Sequence, residues 1–264
     1  MSEAPSGIVS ETKNETPLVD RIWEALEKSE GRESVNEVRR LRQKEILQRL
    51  PSDFEMEMKA TVIIKRAGEG LDQRNHLRGE VFENLVRADP NICPTEETPQ
   101  AKTVRSILSE PFRFDLASEG IGSAMQNPDT AHVNQKGEID WVVEAKTSDL
   151  DRRGLIQIAK FKNVLSTLIN KLKKIDPQKL RSHGLSAIVD NPETLKISKY
   201  FAIKLALPAG IYNGSVESLL KVRYPSHEDL DMLNRCRIRE SPFSVSDLEN
   251  ITDTILGWYK EKTV

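Results

Sequence analysis

Near the middle of the chain, Val142-Val143-Glu144-Ala145-Lys146 sets a carboxylate and an ammonium two residues apart at the end of an apolar segment. On an extended strand such residues point to one face, so Glu144 and Lys146 can serve the same reacting group. Upstream, Pro128-Asp129 opens a short segment that passes through Asn134-Gln135-Lys136-Gly137 into Glu138. That tetrad has the composition of a turn, and the resulting hairpin brings Asp129 toward Glu144. Two carboxylates on neighbouring strands can hold a hard divalent cation through oxygen, with Mg2+ keeping several of its waters. The cation lowers the pKa of a bound water and offsets charge on a scissile phosphate. A lysine beside it orients or deprotonates that water and stabilises developing negative charge. Asp129, Glu144 and Lys146 are therefore the candidate catalytic residues for phosphodiester hydrolysis, the two carboxylates also serving as metal ligands.

Glu-x-Lys alone carries little. With each residue at roughly 6% of a chain, about one such triplet is expected by chance at this length. Glu11-Thr12-Lys13 and Glu57-Met58-Lys59 share the form. The downstream text separates the third copy from these two. From Asp151 to Arg181 nine basic residues stand against two acids, although the whole chain has a formal net charge of −2. Arg152, Arg153, Lys160 and Lys162 open this run and are the candidate DNA-binding residues, giving salt-sensitive, sequence-independent affinity for a phosphate backbone.

With Pro128-Asp129 followed by Glu144-Ala145-Lys146, in the text NPDTAHVNQKGEIDWVVEAKTSD, the chain resembles the PD-(D/E)XK nuclease superfamily. The resemblance covers about Leu77 to Leu207. It implies an α/β fold with a restriction-endonuclease-like αβββαβ core, and a nuclease acting on DNA with Mg2+, or Mn2+ in its place. It makes Asp129 and Glu144 metal ligands and Lys146 the catalytic lysine. Gly137-Glu138-Ile139-Asp140 also looks like family text, which leaves Asp140 as a second candidate for the first ligand. Asp140 and Glu144 share a strand and a face, but four residues at about 3.3 Å separate their Cα atoms by roughly 13 Å, so Asp129 is preferred. Gly79-Glu80-Val81-Phe82-Glu83 looks like the first core helix of these nucleases, whose glutamate joins the metal site; Glu83 matches that position and Glu80 neighbours it. Gln157, four residues before Phe161, is similar to a Gln-x-x-x-Tyr element but lacks the hydroxyl. One catalytic cluster cuts one strand, so cleavage of both strands implies a homodimer.

The elements that must position these groups read as follows. Val19, Ile22, Trp23 and Leu26 recur at helical spacing, and Ser34-Val35-Asn36-Glu37 has the form of a capping box opening a helix with Val38, Leu41 and Leu50. Ser52-Asp53-Phe54-Glu55 repeats the start signal, and a helix is expected over Phe54 to Lys65. After Gly68 and Gly70 a helix with Leu77, Val81, Phe82, Leu85 and Val86 runs to about Ala88. Strands are expected at Phe112–Leu116, Thr130–Val133 and Glu138–Lys146. A helix from about Arg153 follows, with Ile158, Phe161, Leu165, Leu168, Leu172 and Ile175 as its stripe and Pro177 as its stop. Lys199–Leu207 reads as a strand closed by Pro208. Helices are expected to start at Ser226 and at Ser246, the latter a capping box with Glu249. The expected division is a flexible tail over 1–16, a helical N-terminal region over 17–68, the nuclease-like core over 69–215 and a C-terminal helical extension over 216–264.

At 264 residues, 38% hydrophobic and 30% charged, the chain can bury a core, and with 5% aromatics that core rests on Leu, Ile and Val. Apolar runs fall far short of the roughly 20 residues that span a bilayer, so no membrane partner is expected. Cys93 and Cys236 have no CxxC partner, which supports neither a disulfide framework nor a zinc site and points to the cytoplasm. No HExxH, Walker-type loop or GxSxG elbow occurs. Two other function classes fit the same residues: a non-catalytic nucleic-acid-binding module on a nuclease-like scaffold, and a protein-interaction module in which Glu144 and Lys146 are a surface ion pair.

Overall fold

The computed structural model describes residues 16–29, 37–48, 72–93, 128–148, 150–182, 186–190, 195–220 and 226–261. Within them the chain runs through α1 (Leu18–Ser29), α2 (Glu37–Gln48), α3 (Asp72–Ala88), β1 (Thr130–Val133), β2 (Glu138–Ala145) and α4 (Arg152–Leu172). Two short helices, α5 (Pro177–Ser182) and α6 (Ser186–Asp190), lead to β3 (Lys196–Ala209). A 3-10 turn (Val216–Leu219), α7 (His227–Arg235), β4 (Arg237–Ser244) and α8 (Val245–Glu261) complete it.

The four strands form one mixed sheet in the order β1-β2-β3-β4. β1 and β2 are an antiparallel hairpin, while β2–β3 and β3–β4 pair in parallel. The hairpin turn closes because Asn134 Oδ1 accepts from the backbone N–H of Lys136 and Glu138. Gly137 takes φ 77°, a conformation that costs glycine nothing. Parallel neighbours need a crossover; α4 supplies one, and the 3-10 turn with α7 supplies the other.

Helices cover both faces of the sheet, making the molecule a layered α/β fold. On one face Leu155, Ile158, Phe161 and Leu165 of α4 pack against Val142, Leu205 and Leu207. On the other, α1, α3 and α8 bring Ile22, Phe82 and Ile251 against Val143, Ala206 and Phe243. Asp151 caps α4, accepting from Gly154 N at 2.8 Å. The helix stops at Leu172, before Pro177, because Lys174 and Ile175 bond back to Lys171 and Leu172 and tighten the last turn. Pro177 instead opens α5, where its missing N–H does no harm.

Four further expectations change. Residues 216–264 are not all helical: β4 occupies Arg237–Ser244 and extends the sheet. Its charges and its proline (RIRESPFS) are edge-strand composition, which hid it. The helix expected from Ser246 with Glu249 is capped two residues earlier. Ser244 Oγ accepts from Asp247 N, and Asp247 Oδ2 accepts from both Ser244 N and Ser244 Oγ. β3 runs from Lys196 through Pro208 rather than from Lys199 to Leu207. In α2, Leu41 is 57% exposed, and Ile46 and Leu47 make the buried contacts. The strand expected over Phe112–Leu116, the helix expected from Phe54 and the Ser34 cap lie outside the described residues.

The hairpin carries one irregularity that bears on the site. His132 pairs with Trp141, but Val133 pairs with Ile139, so Asp140 is an extra residue on β2. Against β3 the same place shifts again, Ile139 facing Ile197 and Trp141 facing Ala202. This bulge breaks strict alternation between Asp140 and Glu144.

Candidate active site

Glu144 lies one residue before the end of β2, its side chain 1% exposed, in an ion pair through Oε1 with the Lys146 ammonium. Lys146 N–H donates to Ala206 O at 3.0 Å, fixing the residue just beyond the strand. The lysine stem runs past the first turn of α4, where a Cβ on Gly154 would meet Leu150 Cδ2 at 3.2 Å, Asp151 Oδ1 at 3.5 Å and Lys146 Cε at 4.0 Å. The tight contact is with Leu150, so glycine there lets the first turn of α4 pack closely on Leu150, with the lysine stem at ordinary contact distance.

Asp129 is tied across the hairpin to the same strand end. Its N–H donates to Val143 O at 3.0 Å, and its Oδ2 accepts from Ala145 N at 2.6 Å. The third carboxylate comes from α3. Glu83 pairs with Arg87 at 3.4 Å, and Arg87 donates from Nε and Nη2 to Asp129 O at 3.3 and 3.0 Å.

The electrostatics place the four groups in one region. Burial holds the Glu83 carboxyl well above its ordinary range; Asp129, Glu80 and Glu144 push the same way and Arg87 opposes them. For Lys146, burial alone would lower the pKa, but Glu144, with Asp129 and Glu83 behind it, keeps it above the ordinary lysine value. Glu83, Asp129 and Glu144 are thus a concentration of negative charge, partly compensated by Lys146 and Arg87.

Asp140 goes elsewhere. Asp140 Oδ1 lies 2.7 Å from His132 Nδ1, and the His132 ring stacks on Trp141 with centroids 4.7 Å apart. The bulge turns Asp140 to the His132 side, so strand alternation does not return it to Glu144. Glu80 is half-buried one turn before Glu83 on α3, and its backbone carbonyl accepts from Asn84. Gln157 is half-buried on α4, on the turn after Gly154. Arg153, Lys160 and Lys162 are exposed on α4, and Arg152 is its first residue.

Arg87 was not anticipated. Its position four residues after Glu83 was legible as a helix ion pair, but its grip on Asp129, 42 residues away, exists only in the fold.

The chemistry of the donors, all carboxylate oxygens, suits a hard divalent cation. Among the described residues, however, no three carboxylate, histidine or cysteine side chains converge closely enough to share one ion in the arrangement seen. Lys146 takes up Glu144 Oε1 in that arrangement. Binding a cation between Asp129, Glu144 and Glu83 therefore requires side-chain rotation. The chain was compared with protein-family models, curated proteins and solved structures, and none matches it.

Proposed function

We propose that the protein is a divalent-metal-dependent endonuclease hydrolysing DNA phosphodiester bonds, on a restriction-endonuclease-like core. One observation carries the reading: near one end of β2, Arg87 bridges Glu83 and the Asp129 carbonyl, Asp129 accepts from Ala145 N, and Lys146 pairs with Glu144. The order α3, β1, β2, α4, β3 matches five of the six elements of the αβββαβ pattern, and the strand expected from sequence over Phe112–Leu116 lies outside the described residues.

In this reading Asp129 and Glu144 hold Mg2+ or Mn2+, and Glu83 completes the set. The cation, when bound, acidifies a water and offsets phosphate charge. Lys146, charged at neutral pH beside Glu144, stabilises negative charge on the phosphate. Arg87 fixes Asp129 against α3. Arg153, Lys160 and Lys162 on α4 give the backbone affinity.

A second reading has one observation on its side. The closed Glu144–Lys146 pair, without three converging donors, also suits a scaffold that binds nucleic acid or a protein partner and does not cut. Incubating plasmid, linear and single-stranded DNA with Mg2+, Mn2+ or chelator separates the two, with Lys146→Ala and Glu144→Gln in parallel. The nuclease reading expects metal-dependent cleavage that falls about a hundredfold or more in either variant. Cleavage that survives chelator or the substitutions overturns it, and binding without cleavage under every condition favours the second reading.

A further inference from the structure

The face of the sheet opposite α4 carries a second set of charges that the carboxylate cluster does not use. On β3 and β4, Lys204 stands directly opposite Arg237, and Ala206 opposite Arg239. Residues two apart on a strand share a face, and Ala206 and Phe243 pack into the core beneath α3 and α8. Lys204, Arg237 and Arg239 therefore belong to that face.

Lys204 and Arg237 on one rung and Arg239 on the next rung of the same face repel one another. Among the described residues, Lys204 has compensating partners: its Nζ donates to Ile92 O at 3.0 Å and lies 3.4 Å from the Trp141 ring centroid. Arg237 and Arg239 are exposed. Among the described residues neither makes an ion pair, and Arg239 bonds only to the Ile238 carbonyl. Burial, then the charges of Arg239 and Arg237, draw the Lys204 pKa below its ordinary value, although Cys93 and Asp140 act against them.

Four residues before Lys204, where β3 bulges away from β2, Tyr200 is 76% exposed with Lys199 Nζ 4.6 Å from its ring centroid. At about 3.3 Å per residue the tyrosine lies roughly 13 Å along the strand from the Lys204–Arg237 rung. That is a span of two or so extended nucleotides. Arginines without an ion pair among the described residues, on the same sheet as an exposed aromatic ring, match a strand that offers phosphates and an unpaired base; an acidic peptide would use the arginines and leave the ring idle.

We propose that Tyr200, Arg237 and Arg239 form a contact surface for single-stranded nucleic acid, a base stacking on Tyr200 and phosphates pairing with the arginines. The inference rests on the reading that the protein acts on nucleic acid, but it can be tested without cleavage. Anisotropy of a fluorescein-labelled oligothymidylate in chelator, across a salt series, compares the wild type with Tyr200→Ala, Tyr200→Phe and an Arg237→Ala/Arg239→Ala double variant. Circular dichroism checks that each is folded. The double variant is expected to reduce the slope of log affinity against log salt by about 1.4, from two lost phosphate contacts. Tyr200→Ala is expected to weaken binding about tenfold, and Tyr200→Phe to keep it. Unchanged affinity and slope in folded variants overturn the proposal, as does a polyglutamate competitor that displaces the oligonucleotide at equal charge concentration. Lys146→Ala keeps the two readings apart: if the wild type and Lys146→Ala bind alike and neither cuts DNA in Mg2+ or Mn2+, the nuclease reading fails and this surface stands.

Discussion

Arg87 joins the helix that carries Glu83 to the loop that carries Asp129, because one planar fork reaches a side-chain carboxylate and a backbone carbonyl together. Groups that orient metal-binding carboxylates in this way typically change metal affinity or activity about 10–100-fold when removed. On the proposed nuclease reading, Arg87→Ala is expected to lower cleavage by that factor and to raise the Mg2+ concentration for half-maximal rate. Arg87→Lys is expected not to restore either, since an ammonium cannot span both acceptors; a titration of initial rate against Mg2+ checks both. Glu83 gives a pH signature. Its pKa is raised in the fold, so the folded chain holds a proton that the unfolded chain releases above the ordinary 4.5. The stability tied to this proton is present at low pH and is lost as pH rises through the raised value. In chelator, Glu83→Gln is expected to melt above the wild type at pH 7 to 8, and the gap to close toward pH 5. A gap independent of pH would mean that the carboxylate is not strained.

At the level of elements, the sequence revealed most of what is periodic and little of what is not. The stripe of α4 was visible because Ile158, Phe161 and Leu165 recur at helical spacing and are all buried. Phe161→Ala is expected to cost about 3–5 kcal/mol in denaturant unfolding, as for other buried aromatics. The hairpin was legible from its turn, and with it the approach of Asp129 to the strand end that carries Glu144. β4 was not, since an edge strand needs no apolar alternation, and its presence moved the following cap. Ser244→Ala is expected to lose about 1 kcal/mol, whereas Ser246→Ala is expected to be nearly neutral. Equal losses would favour the later cap. Asp140 was misplaced for a different reason. Alternation sets a side chain's direction only while the ladder is regular, and nothing local in Gly-Glu-Ile-Asp signals a bulge.

For the molecule as a whole, both cysteines are buried, and burial pushes the Cys236 thiol up to about 11. The native protein is therefore expected to react with no thiol reagent at pH 8 and to show two equivalents on denaturation, by Ellman titration. The extra residue in the hairpin has a wider consequence. Without Asp140, Val133 opposite Ile139 and His132 opposite Trp141 become consecutive rungs. Ile139 would then still fall on the α4 side, where it is buried now. The sheet thus absorbs one surplus residue without handing any apolar side chain to the wrong face. Chain length between Asp129 and Glu144 is negotiable at this point, and both carboxylates stay where they are because the slack is taken up on the turn side of them. A deletion of Asp140 should leave a protein that still melts cooperatively, with Asp129 still bonded to Ala145 at the far end of the hairpin.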